Sequence, residues 1–222
     1  MSAYRVIGLS PSTCTQRTLF TAYERQATVD LVPLNIMAGD QKKPEHLAKQ
    51  PFGKIPVLEM QDFVLYESRA IARFINDTCS SGSTLIPSDP KQRAIFEQWA
   101  SLEAGTYNPH IEGLVAQRVF VPMRGGQTDE NKVKEHYNAL KEPLDILNNN
   151  LANKEYIAGP FTLVDIFFTP YINMLLQLPE KDLIESRPNI AAWWKRVSSR
   201  PAFKKLYKQV EEDRAAMMSG QK

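Results

Sequence analysis

Two hydrophobic periods divide this chain. Up to about residue 80, short β-branched runs alternate with helical patterns, and from about residue 90 onward only helical spacing is left. "YRVIGL" (4–9) and "TVDLVPL" (28–34) are strand-like, and "CTQRTLFTAYERQ" between them repeats Leu19, Phe20 and Tyr23 at helical spacing. That is a βαβ unit, whose crossover is expected to be right-handed. After a linking segment with its own Pro44 come "IPVLEM" and "FVLYE", separated only by Gln61-Asp62, which predicts a hairpin. A helix over "SRAIARFIND" follows, with Ile71, Phe74 and Ile75 on one face and Glu67 or Ser68 at its start. The expectation is an α/β domain over residues 1–80, a Ser-, Gly- and Pro-rich linker over 81–90 and an all-helical domain over 91–222, with a loop at 122–130.

Composition removes several function classes. With 27 basic and 25 acidic residues the formal charge is +2, too balanced for a field that gathers nucleic acid or anionic lipid. The basic, aromatic "WWKRVSSRPAFKKLYK" reads as core aromatics and a solvated charged face, so no nucleic-acid partner is expected. The longest uncharged apolar stretch, 166–179, is too short to span a bilayer and carries Pro170, Asn173 and Gln177; it reads as a buried helix. Neither "MSAYRVIG" nor the terminal "SGQK" is a targeting signal, which leaves the cytoplasm as the expected compartment. Cys14 and Cys79 form no CxxC pair, and His46, His110 and His136 lie too far apart in sequence for a helical zinc motif, so no metal is expected. In "AGPFTLVDIFF", Thr162 as cap, Asp165 at the third helical position and Phe161 poised to staple onto Ile166 signal a helix start with a purely structural role.

Three segments of the first domain share a chemistry. "SPSTCTQR" (10–17) places the hydroxyls of Ser10, Ser12, Thr13 and Thr15 and the Cys14 thiol around the turn into the first helix. Taken alone, Ser12 is a helix N-cap. In "QPFGKIPVL", Pro56 opens a strand; a cis bond there turns the Ile55 N–H and C=O outward, ready to pair with an extended peptide. "YESRA" sets Ser68 at a helix start, where free N–H groups favour a carboxylate, beside Glu67, which can hold an ammonium. Lys42 can hold a second carboxylate. An amino-acid head, a backbone-like middle and a terminal carboxylate describe a small peptide such as glutathione, whose cysteinyl thiol then faces "SPSTC".

With "KKPEHLAKQPFGKIPVLE", "LYESRAIARFI", "YIAGPFTLVDI" and "AAWWKRVSSRPAF", the turn resembles the cytosolic glutathione transferases, most closely their phi class, in order and over nearly the whole chain. The resemblance implies a thioredoxin-like N-terminal domain, an all-α C-terminal domain and a homodimer that uses glutathione as co-substrate without a cofactor. Carried over by position, Ser12 falls on the thiol-activating serine, with Thr13 beside it as a second donor. Ile55 and cis-Pro56 fall on the backbone pairing site, Glu67 and Ser68 on the γ-glutamyl site, Gln41 and Lys42 on the glycyl-end pair, and Lys54 among the glutathione-binding positions. Gln41 stands where the family usually has histidine, and Lys54 where glutamine is common. Pro11, Ile36, Gln117 and Val121 are the implied lining of an electrophile pocket between the domains, and the activity implied is conjugation to apolar electrophiles or reduction of organic hydroperoxides, a detoxifying chemistry. Phe52, in the loop "QPFGK", is the expected anchor into a partner copy.

Two other readings stay open at this level. Cys14, at the helix start, can serve a thiol transferase through a mixed disulfide with glutathione, although it lies two residues past the catalytic position. The same fold also serves as a non-enzymatic interaction module, which usually lacks the activating hydroxyl that Ser12 supplies here.

Overall fold

The structure is a computed structural model that describes residues 4–219, so residues 1–3 and all but the first residue of "SGQK" lie outside it. The chain forms two units, one built from residues up to Leu85 together with those from Ser199 onward, the other from Ile86–Ser198.

In the first unit β1 (Tyr4–Ile7) leads through α1 (Thr13–Glu24) to β2 (Val29–Val32), which pairs with it in parallel, Tyr4 opposite Val29 and Ile7 opposite Val32. A 3-10 turn at Asp40–Lys42 and the one-turn α2 (Pro44–Leu47) follow. β3 (Val57–Met60) lies antiparallel on the other side of β1, and β4 (Phe63–Tyr66) antiparallel on β3, so the sheet order is β2-β1-β3-β4. Met60 faces Phe63, which makes Gln61-Asp62 the expected two-residue connection. α3 (Ser68–Thr78) returns across the sheet. Tyr4 and Val6, two apart on β1 and therefore on one face, form a buried cluster with Leu58, Ala22, Ile71, Ile75 and Cys79.

The second unit is all helix. α4 (Pro90–Leu102), α5 (Asn108–Val115) and α6 (Val121–Met123) run on from one another through π-helical turns at Glu103–Tyr107 and Ala116–Phe120. α7 (Glu130–Asn150), α8 (Leu163–Leu175), α9 (Asp182–Glu185) and α10 (Pro188–Ser199) complete it. Asp89 accepts from the Gln92 N–H at the start of α4, and Asp129 from Asn131 and Lys132 at the start of α7, as side-chain caps do. α8 is the expected buried helix: Ile166, Phe167, Phe168 and Ile172 are in the core with Leu140, Leu144 and Leu147 of α7 and Trp193 of α10. Among the described residues no helix is long and apolar enough to cross a membrane. The capping box at its start is present, Thr162 with Asp165, and the Phe161 ring packs edge-on against Tyr156.

The first unit also takes in a helix from the far end of the chain. α11 (Pro201–Met218) belongs with the first unit, because α1 presents it with an apolar and polar seam. Phe203 packs edge-on against Phe20, while Arg200 pairs with Glu24, Tyr207 donates to Gln16, and Tyr23 donates to Gln209. Burial, and after it the charge of Asp213, pushes the Tyr23 phenol above its ordinary value. Helical periodicity runs through 189–214 but is silent on which neighbour the apolar side of α11 meets.

Candidate active site

The turn between β1 and α1 is closed by the Ser12 N–H donating to the Leu9 carbonyl at 3.0 Å. It is tight: a Cβ on Gly8 would stand 2.7 Å from Thr15 Oγ1, so only glycine lets the strand end approach the first helical turn. Ser12 is the N-cap, but its Oγ accepts the Thr15 N–H only at 3.5 Å, the outer limit for such a bond. Of the five candidates in this turn, Ser10, Thr13 and Thr15 are buried, while Ser12 and Cys14 are half-exposed. Ser10 donates to Asp213 Oδ2 at 2.6 Å, and Cys14 Sγ accepts from Arg17 Nη1 at 3.5 Å. Solvent-side chemistry is thereby narrowed to one hydroxyl and one thiol.

The strand register brings the other segments to the same end of the sheet. Ile7 pairs with Val57 and Val57 with Tyr66. Where β1 runs out toward Ser12, β3 begins after Ile55-Pro56, and β4 ends into Glu67-Ser68 and the N-terminus of α3. The Ile55-Pro56 bond is cis, and among the described residues no hydrogen bond engages the Ile55 main chain. Glu67 sits at the α3 N-cap with φ +72°, a left-handed conformation strained for any residue but glycine, with its side chain in solvent; Ser68 is buried behind it. The N-termini of α1 and α3 both deliver free N–H groups and positive dipole ends here.

A clamp that sequence reasoning missed holds the segment before Ile55. His46, buried on α2, donates from Nε2 to the Lys54 carbonyl at 2.8 Å, and buried Gln50 accepts the Lys54 N–H at 3.2 Å. Gly53 has φ +62°, and a Cβ there would meet Lys42 Nζ at 2.6 Å and the Gln41 carbonyl at 2.8 Å. Lys42 reaches the Phe52 carbonyl at 3.0 Å, whereas Lys43 pairs with Asp40 and, by that hydrogen bond first, holds its carboxyl below the ordinary range. Gln41 Oε1 is buried with no partner. The trace of this clamp in the sequence is a histidine four residues before a glutamine in "PEHLAKQP". Among the described residues no three His, Cys, Asp or Glu side chains gather as a metal site.

Of the implied pocket lining, Pro11 is half-buried and Ile36 is exposed in the first unit, while Gln117 and Val121 are half-buried in the second. Gln117 is already committed: its side-chain Oε1 accepts the Asp129 N–H at 3.0 Å, and its main-chain carbonyl accepts the Thr128 hydroxyl at 2.9 Å, fastening the loop that leads into α7. The Gly126 N–H closes the same loop on the Val121 carbonyl.

Comparison with known proteins agrees with this layout. Residues 4–77 match the model of the glutathione S-transferase N-terminal domain, and residues 110–201 that of the glutathione S-transferase C-terminal domain. Glutathione S-transferase PM239X14 of Arabidopsis thaliana is 41% identical over 199 residues, covering 87% of this chain and 91% of its own length. Glutathione transferase F7 from Populus trichocarpa superposes with a TM-score of 0.90 at 36% identity, over 94% of this chain and 99% of that one. Glutathione S-transferase I from maize, solved in complex with an atrazine glutathione conjugate, does so at 0.86 and 27%, over 95% and 99%.

Proposed function

Since the chain belongs to the glutathione S-transferase family, with plant phi-class enzymes as its relatives, we propose that it binds glutathione at this end of the sheet and that the Ser12 hydroxyl holds the cysteinyl sulfur as thiolate. The carrying observation is the exposure pattern of the turn, in which Ser12 is the one half-exposed hydroxyl, sits at a helix N-terminus and makes only a 3.5 Å capping bond.

The magnitudes suffice without a metal. Moving a thiol from about 8.5 down by about two units needs about 2.7 kcal/mol. A charge-assisted hydrogen bond from serine supplies about 1.5 to 3 kcal/mol, and the dipole of α1 adds about 0.3 to 1. Thr13, whose side chain is buried, serves as a second donor through its main-chain N–H at the start of α1. Ile55 pairs with the peptide's backbone, Glu67 takes the ammonium and Ser68 the carboxylate of the γ-glutamyl head. Lys42 and Gln41 take the glycyl carboxylate, Lys42 by leaving the Phe52 carbonyl, and Lys54 lies beside them as a further glutathione-binding residue.

The thiolate attacks an electrophilic carbon, a sulfur–carbon bond forms, and the leaving group departs with its electron pair; the thiol proton has gone to solvent. With a hydroperoxide it attacks the terminal oxygen, the O–O bond breaks and the alkoxide leaves as an alcohol by taking a proton from solvent; the thiol of a second glutathione then converts the sulfenic acid to the disulfide and water. Pro11, Ile36 and Val121 supply apolar surface to the electrophile, with Gln117 at its edge, and the conjugate in the maize structure is of this kind. The working form is a homodimer in the cytoplasm.

The test is glutathione-dependent turnover on a panel of aryl halides and organic hydroperoxides, with Ser12→Ala and Cys14→Ser compared. Ser12→Ala is expected to raise the bound-thiol pKa by about one to two units, and Cys14→Ser to leave conjugation nearly intact. Arg17 beside Cys14 favours the second reading, a cysteine-dependent thiol transferase; loss of the main activity in Cys14→Ser but not in Ser12→Ala would establish it.

A further inference from the structure

The last helix is fastened to α1 by contacts most of which run antiparallel, Glu24 with Arg200, Phe20 with Phe203 and Gln16 with Tyr207, while the Tyr23 side chain reaches ahead to Gln209. Arg200 meets Glu24 in a bidentate pair at 2.6 and 2.8 Å, Gln209 accepts from Tyr23, and Tyr207 donates to Gln16 at 3.0 Å. From Arg200 to Asp213 the helix rises by about 20 Å. α11 therefore follows α1 back past its N-terminus, and its final partner is Ser10, whose hydroxyl donates to Asp213 Oδ2 at 2.6 Å.

Ser10 is not an ordinary surface hydroxyl. It is fully buried, so no bulk water competes for the bond, and such a group left without an acceptor is costly. Together with Pro11 it forms the middle of the turn that the Ser12 N–H closes on Leu9. Fixing Ser10 fixes the backbone on which Ser12 stands.

We propose that Asp213 is a positioning residue for thiol activation: through Ser10 it holds the Leu9–Ser12 turn so that the Ser12 hydroxyl points at the bound sulfur. This rests on the assignment of Ser12 as the activating group. A cavity of about 90 Å³ borders the pair, lined by Gly8, Ser10, Pro33, Gln209, Asp213 and Met217. It separates positioning from stability. When Asp213 is cut back to alanine the cavity widens and water takes over as partner of Ser10, which satisfies the hydroxyl but does not anchor the turn.

The experiment titrates the thiolate of glutathione bound to wild type, Asp213→Ala, Asp213→Asn, Ser10→Ala and Ser12→Ala, alongside kcat, the glutathione KM and the urea midpoint. Asp213→Ala and Ser10→Ala should each raise the bound-thiol pKa by about 0.5 to 1 unit and lower kcat about three- to tenfold, the worth of one hydrogen bond. KM and the urea midpoint should move little, and the double variant should match either single one. Asp213→Asn, which keeps an acceptor oxygen, should restore most of kcat. A wild-type thiol pKa and kcat in Asp213→Ala, with both changed in Ser12→Ala, would overturn the inference and leave Ser12 in its role. Equal losses in the Asn and Ala variants would also overturn it, since charge and not anchoring would then be at issue. If Ser12→Ala moves neither quantity, the assignment of Ser12 fails and takes the inference with it. Should Asp213→Ala not fold, Ser10→Ala decides: an unchanged thiol pKa there overturns the inference.

Discussion

Replacing Asp165 by alanine should destabilise the helical unit by an amount that depends on pH. Its carboxylate is fully buried and receives four donors: the Ile157 N–H at 3.0 Å, the Trp193 Nε1–H at 2.8 Å, and the N–H and hydroxyl of Thr162 at 2.9 and 3.3 Å. Cutting it back orphans three buried N–H groups at about 1 to 3 kcal/mol each, some 6 kcal/mol at mid-range. Burial also pushes the Asp165 carboxyl up to about 6, against the pull of those donors. Because the folded-state value is raised, the stability tied to this group is complete below about pH 4 and is lost as the pH rises through 6, by about 3 kcal/mol in total. The variant escapes that loss. It should therefore be less stable than wild type by about 3 kcal/mol at pH 8 and by about 4.5 at pH 5. Urea unfolding at fixed protein concentration, followed by tryptophan emission because Trp193 touches the carboxylate, measures both values. A loss below about 0.5 kcal/mol at pH 5, or a larger loss at pH 8 than at pH 5, would refute the reasoning.

Three further outcomes are expected. Ser68→Ala should raise the Michaelis constant for glutathione more than it lowers turnover, since it removes binding common to ground and transition states; a fall in kcat at constant KM would contradict this. Phe52 is 62% exposed and packs edge-on against Tyr66, while Phe63 and Val64 lie exposed on the edge strand β4. Phe52→Ala should shift a dimer toward monomer in sedimentation, and a wild type that is itself monomeric at micromolar concentration would remove the premise. Gly53→Ala, with φ +62° and a Cβ pressed onto Lys42 and Gln41, should cost about 1 to 3 kcal/mol of stability and weaken glutathione binding; a calorimetric titration indistinguishable from wild type would show that the clamp plays no part in the site.

What the sequence determined by itself is local or carried by order. Alternation and helical spacing placed every strand and the helices around them, because each period follows from which face of an element is covered. The two residues between Met60 and Phe63 determined a hairpin, and "AGPFTLVDI" a capped helix, since caps and tight turns are decided within a few residues. The segments of the candidate site stood out for the same reason: three stretches with distinct chemistry lie at the ends of recognisable elements. Tertiary structure decided what depends on partners distant in sequence. The strand register put Ser12, Ile55 and Ser68 at one end of the sheet. Which of five side chains in "SPSTCTQR" meets solvent followed from the covering of Ser10, Thr13 and Thr15. The return of α11 along α1 to bring Asp213 to Ser10 left no mark in any local window. A hydrogen bond between residues about 200 positions apart has no period to betray it; it exists only once the chain has closed on itself.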